Sequence, residues 1–241
     1  MAKGLASPGK DPLATASPVT AICAPSNAGI APSPPATVAV SIMIWSLDTV
    51  IHRVHQDHYA GDQFNPGLKG NARFSPIKNA LGEPVPTLYG GATFACAAME
   101  TVFHDVPFAP GLKTLDKTKL TRQVHSQVKP GADLVLADLR SKALRKLGVA
   151  RGQIIDTEKD QYPTTRQWAE AIHTQCPEVQ GICWTSRQDD SAQALMLFGD
   201  RVTQDVLQPA AISRNLVSDS TAYAELLRLA EQIGVDIVPG R

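Results

Sequence analysis

Arg73-Phe74-Ser75-Pro76, then Pro86-Thr87-Leu88-Tyr89-Gly90-Gly91-Ala92-Thr93, then Ala97-Ala98-Met99-Glu100, is the stretch from which the fold is read. Val85 to Tyr89 has the composition of a strand, and Gly90-Gly91 cuts it short, because glycine lets the backbone turn tightly. Phe94, Ala97, Ala98, Thr101 and Val102 follow at helical spacing, so Ala92 to about Asp105 reads as a helix. Strand, turn and helix thus bring an arginine, a phenol and a carboxylate into one short span. That trio suits a phosphorylated, cationic ligand on which positive charge develops.

Outward from this span, the chain alternates short strands and short helices. Thr37 to Ile44 and Ile51 to Val54 both have strand composition, and either can be the first strand. Gln56 to Gly70 reads as a long loop and Ala80 to Pro84 as a turn. Downstream, Asp133 to Arg140 reads as a strand, and Ser141 to Leu147 as a helix stopped by Gly148. Thr165 to Gln175 forms a helix, Gly181 to Thr185 and Ala194 to Phe198 form strands, and Gly199-Asp200 suggests a hairpin. Ser220 caps a last helix, Thr221 to Ile233, and Val235 to Val238 is a final strand. Without a βαβ rhythm, this mixture predicts an α+β fold. Residues 1–37 carry Pro8, Pro12, Pro18, Pro25, Pro32, Pro34 and Pro35 among Ala, Ser and Gly, and read as a flexible leader. Residues 38–241 then form a single domain.

Composition narrows the function. Lys+Arg and Asp+Glu are 23 each, so there is no basic surplus for a nucleic-acid phosphate backbone. A local basic pocket for one small phosphorylated molecule remains compatible with that balance. Cys23, Cys96, Cys176 and Cys183 form no CxxC pair and no zinc spacing, which predicts reduced thiols in a cytoplasmic protein and no metal site. No apolar run approaches the ~20 residues of a membrane span. Neither GxGxxG nor GxxxxGK[ST] occurs, nor a GxSxG elbow.

Individual residues carry two readings each. Arg73 is either a two-pronged phosphate ligand or half of a surface ion pair. Tyr89 either stacks on a flat heterocycle or is a core tyrosine with its hydroxyl satisfied nearby. Glu100 lies in an otherwise apolar helix, where an acid is rare unless paired or functional, or else it marks the boundary of the packed face; helical spacing puts it near Cys96, Ala97, Phe103 and His104. Ser186, ending Gly181-Ile-Cys-Trp-Thr-Ser186, either orients a ligand or bonds its own turn. His52, His55 and His58 read as a partly exposed loop, and Arg53 points into a pocket if that segment is a strand instead.

Taken in order, these residues resemble the RES-domain family, named for its arginine, glutamate and serine. The resemblance is carried by Arg73-Phe74-Ser-Pro, Pro84-Val-Pro-Thr-Leu-Tyr89-Gly-Gly-Ala-Thr-Phe-Ala-Cys-Ala-Ala-Met-Glu100, Tyr162-Pro-Thr-Thr-Arg166-Gln-Trp168-Ala169 and Gly181-Ile-Cys-Trp-Thr-Ser186-Arg187-Gln188, with Arg53 at an early arginine. It runs from about Ile51 to Arg201. The resemblance implies a fold like the ADP-ribosyltransferase domains of bacterial toxins, with mixed sheets and short helices. It implies the toxin of a toxin–antitoxin pair that consumes NAD and passes ADP-ribose to a protein, water or phosphate. It also implies an Xre-type helix-turn-helix antitoxin that covers the active site and makes any DNA contact. Carried over, Arg53 and Arg73 bind NAD, Tyr89 contacts the nicotinamide side, Glu100 is the main catalytic carboxylate, and Ser186 helps shape the pocket. Arg53 and Tyr89 then belong to both the catalytic and the NAD-binding sets.

The chemistry suits such a set. The nicotinamide nitrogen of NAD is already cationic, so cleavage needs no general acid, and positive charge migrates to the ribose. A fixed carboxylate stabilises that charge by roughly 3–4 kcal/mol, and arginines on the diphosphate supply positioning. A non-catalytic module that binds an ADP-ribose-like ligand or a partner is the alternative.

Overall fold

The computed structural model describes residues 1 and 29–240. The strands are β1 (Ser41–Trp45), β2 (Ile51–Gln56), β3 (Ile77–Lys78), β4 (Pro84–Val85), β5 (Thr87–Gly91), β6 (Lys113–Asp116), β7 (Gln123–Pro130), β8 (Leu134–Asp138), β9 (Gly181–Thr185), β10 (Gln193–Phe198), β11 (Leu207–Pro209), β12 (Arg214–Asn215) and β13 (Val235–Val238). The helices are α1 (Phe94–Met99), α2 (Ser141–Leu147), α3 (Arg151–Ile154), α4 (Tyr162–Gln175) and α5 (Ser220–Gln232). The expected α+β class, with mixed sheets and short helices, is what the chain adopts.

The main sheet runs β1-β8-β9-β10-β5-β2-β7-β11, with β12 also on β7. Its pairs are antiparallel except β8 with β9, which are parallel and joined through α2, α3 and α4. That single βαβ connection interrupts a pattern otherwise free of them. The central strands are buried on both faces, so they read as solid apolar runs. On β10, Ala194, Met196 and Phe198 enter the core beneath α4 with Trp168 and Trp184, while Leu195 and Leu197 enter the opposite core with Ile51, Leu88 and Leu136. A third core joins α1 to α5 through Ala97, Ala98, Phe103, Ala222 and Leu226.

Several local expectations change. β5 does not stop at the glycine pair but runs through it to Gly91, pairing with β10 throughout. Neither Gly90 nor Gly91 has a positive φ. Their role is space: a Cβ on Gly90 would stand 2.4 Å from Ile51 Cγ2, and one on Gly91 2.7 Å from Cys96 Sγ. Helix α1 begins with Thr93 Oγ1 accepting from the Cys96 amide at 3.0 Å and ends at Met99, well short of Asp105. Leaving the helical path turns Phe103 into the third core, where it is buried. Gly199-Asp200 is a turn but not a hairpin, because the next strand, β11, pairs with β7. Asp219 rather than Ser220 caps α5, accepting from the Ala222 amide. His52 and His55 lie on β2, with His55 buried, and only His58 is in an exposed loop.

Residues 2–28 of the expected flexible leader lie outside the described residues. The remainder of that segment is not free chain: the Pro32 carbonyl accepts from Trp168 Nε1 at 2.6 Å, the Ala31 amide donates to Gln161, and Ala31 is buried. No helix among the described residues is long and apolar enough to cross a membrane.

Candidate active site

β2, β5, the loop before β3 and the end of α1 surround a cavity of about 430 Å³, within the range of small-molecule sites. Arg53, Arg73, Tyr89 and Glu100 all line it. Residues far apart in the chain meet here because β5 is hydrogen-bonded to β10 and bridges to β2, while α1 packs against both neighbouring strands.

Glu100 is the C-terminal cap of α1, half-buried, at the point where the helix breaks. Its Oε1 accepts from Ser186 Oγ at 2.7 Å and from the Arg187 amide at 3.2 Å. Its Oε2 has no hydrogen-bond partner among the described residues. Ser186 is fully buried and does not line the cavity; it stands behind the carboxylate. Its oxygen also accepts from the Gln188 and Asp189 amides at 3.0 and 2.9 Å. Ser186 is therefore both the turn serine and the partner of Glu100, rather than a direct wall of the pocket.

Arg73 is only 5% exposed, and its Nε and Nη2 are buried without a partner among the described residues. No ion pair involves it among those residues, which displaces the surface-pair reading. Tyr162 lies under the guanidinium, 5.8 Å from carbon to ring centroid. The backbone around it is anchored to α4: the Arg73 carbonyl accepts from Thr165 Oγ1, and the Ala72 carbonyl from Arg166 Nε at 3.2 Å. A buried cation without an anion is costly, so the arrangement favours an anionic ligand.

Arg53 is also buried, and its Nη1 donates to the carbonyls of Ala60, Gly61 and Gln63 at 3.3, 3.0 and 2.7 Å. Burial lowers its pKa to about 10, Asp62 opposing, so it stays charged at neutral pH. One prong of Arg53 thus holds the loop after β2. Tyr89 accepts from the Phe74 amide at 3.3 Å and meets Trp184 edge-on, with centroids 6.3 Å apart. Burial pushes its phenol up to about 12, so it is neutral.

The cavity also takes in His55, His104, Asp105, Lys159, Tyr162 and Trp184, which sequence reasoning did not nominate. For His104 a signal existed, since helical spacing put it beside Glu100; Trp184 sits inside the segment ending at Ser186. His104 Nδ1 is 2.8 Å from Asp105 Oδ1, and Lys159 Nζ is 2.8 Å from the same oxygen. Lys159 and then His104 hold the Asp105 carboxyl below the usual range. Among the described residues, no group of three His, Cys, Asp or Glu side chains is placed to hold a metal.

Residues 50–219 match the RES domain, and the chain belongs to the RES-domain family. The fold is shared with a chain of the M. tuberculosis MbcT–MbcA toxin–antitoxin complex, at a TM-score of 0.55 and 15% identity, over 77% of this chain and 91% of that one. None of the curated proteins matches this chain.

Proposed function

We propose that this protein is the toxin of a toxin–antitoxin pair and cleaves the nicotinamide–ribose bond of NAD. One observation carries the proposal: Glu100, with one oxygen held from behind and the other unengaged, shares a cavity with Arg73, a buried guanidinium that has no counter-charge among the described residues. Membership of the RES family and the fold shared with the MbcT–MbcA complex support the toxin role.

In this mechanism Arg73 and Arg53 grip the diphosphate, which supplies the anion that Arg73 lacks among the described residues and fixes the ribose beside Glu100. Tyr89 and Trp184 form an apolar, aromatic wall for the nicotinamide ring. As the C1″–N bond breaks, its electron pair neutralises the pyridinium, and the ribose becomes cationic. Glu100 Oε2 faces that sugar and stabilises the charge, either directly or through a ribose hydroxyl. Ser186 and the Arg187 amide hold the carboxylate in place, so no reorganisation is needed as charge develops. ADP-ribose then passes to water, phosphate or a protein, and an antitoxin of the Xre type restrains the enzyme in the cytoplasm by covering the cavity.

The test is incubation of purified protein with NAD, with and without phosphate and cell lysate, followed by product identification. Nicotinamide release by the wild type, reduced at least ~10²-fold in Glu100→Gln, is the expected result. An E100Q protein as active as the wild type removes the mechanism. ADP-ribose bound without any turnover returns the chain to the non-catalytic alternative.

A further inference from the structure

Departure of nicotinamide needs no acid, but a neutral acceptor must lose a proton as it attacks. Most groups around the cavity are unsuited to taking that proton. Glu100 Oε1 is committed to Ser186 and Arg187, and its other oxygen faces the developing cation in the proposed reaction. The Tyr89 phenol is neutral, and Arg53 remains charged. His55 has both nitrogens engaged, Nδ1 with the Gln56 carbonyl at 2.9 Å and Nε2 with Ser126 Oγ at 2.8 Å.

His104 differs. An ionised carboxylate can only accept, so the contact with Asp105 puts the hydrogen on Nδ1 and leaves Nε2 as the basic nitrogen. Nε2 has no hydrogen-bond partner among the described residues, and the side chain is 24% exposed at the cavity wall it shares with Glu100. Lys159 Nζ donates to the same Asp105 oxygen, and Gln188 Nε2 donates to the His104 carbonyl at 3.2 Å, next to the turn that carries Ser186. A nucleophile's base oriented by a third group has this form.

We propose that His104 Nε2 is the general base that deprotonates the acceptor, with Asp105 as its positioning residue. The inference rests on the NAD-cleaving reading. With water, the oxygen bonds to C1″ as the C1″–N bond breaks, and the bonding pair leaves with nicotinamide. The water proton goes to Nε2 and from there to solvent, giving ADP-ribose, nicotinamide and one proton.

Azide tests the assignment, because it is already an anion and attacks C1″ without losing a proton. In His104→Gln, nicotinamide release with water as acceptor falls by about 10²-fold or more. Added azide restores it, and mass spectrometry identifies ADP-ribosyl azide. Rescue also shows that the variant is folded. Asp105→Asn, at an exposed position, gives a smaller loss with the same rescue, whereas azide leaves E100Q inactive. An H104Q protein as fast as the wild type in water overturns the base assignment, as does a slow one that azide does not rescue; NAD cleavage itself then stands. Wild-type protein that releases no nicotinamide with any acceptor overturns the NAD reading and this inference with it.

Discussion

The Ser186 hydroxyl has one direction left for its proton, and that direction is Glu100. Its oxygen already accepts from the Gln188 and Asp189 amides, and a hydroxyl has only one hydrogen to give. The 2.7 Å contact is therefore a donation from Ser186 to the carboxylate, fixed by the turn that follows β9.

Ser186→Ala removes that donor and leaves the Arg187 amide as the second support of Glu100. A hydrogen bond to a charged group is worth ~1.5–3 kcal/mol, so kcat for nicotinamide release falls about ten- to a hundredfold. KM for NAD changes little, because Ser186 stands behind the carboxylate. Steady-state kinetics on the purified variant distinguish this from a pocket-wall role, in which KM rises.

Arg73→Met separates binding from folding. The wild-type guanidinium is buried with two donors unpaired, a cost that methionine of similar length does not carry. The urea midpoint of the ligand-free variant equals or exceeds that of the wild type, while KM for NAD rises about tenfold or more. A marked loss of stability instead assigns Arg73 to the scaffold.

Gly90→Ala places a methyl where Ile51 Cγ2 and the His52 carbonyl already stand, 2.4 and 3.1 Å from the new carbon. Overpacking of this kind costs ~1–3 kcal/mol, read as a lower urea midpoint. Adding Ile51→Ala removes the nearer obstacle, so the double variant is more stable than the sum of the two single losses.

Acid weakens the fold through its buried histidines. Burial, then Arg53, lowers the His55 pKa to about 4; burial, then His52 and Arg214, lowers that of His125 to about 3. The ordinary value is 6.5. Between these values the unfolded chain binds protons that the folded chain excludes, so stability rises with pH there. The contribution is fully present above pH 6.5 and is lost as pH falls through 4 toward 3. Urea titrations at a series of pH values show this slope, and His55→Gln makes it shallower.

Strands and helices set by short-range patterns were legible. β9 and β10 are uninterrupted apolar runs, α2 ends on Gly148 at φ 70°, and α5 carries its apolar stripe between a polar cap and Gly234. The end of α1 was not legible, because helical spacing continues past Met99 and burial of Phe103 overrides it. The glycine pair misled for a related reason: a missing Cβ permits a turn and also permits close packing, and only the neighbour, Ile51, decides between them.

By itself the sequence determined the α+β class, the order of most elements and the candidates Arg53, Arg73, Tyr89, Glu100 and Ser186, since propensity, periodicity and residue chemistry are local properties. Only the tertiary structure decided that Ser186 meets Glu100 across 86 residues, that Arg73 is buried without a counter-ion among the described residues, and that His104 turns into the same cavity. Those relationships depend on which strands pair and which faces are buried. Pairing and burial are won by the whole chain's packing free energy, which no short stretch of residues encodes.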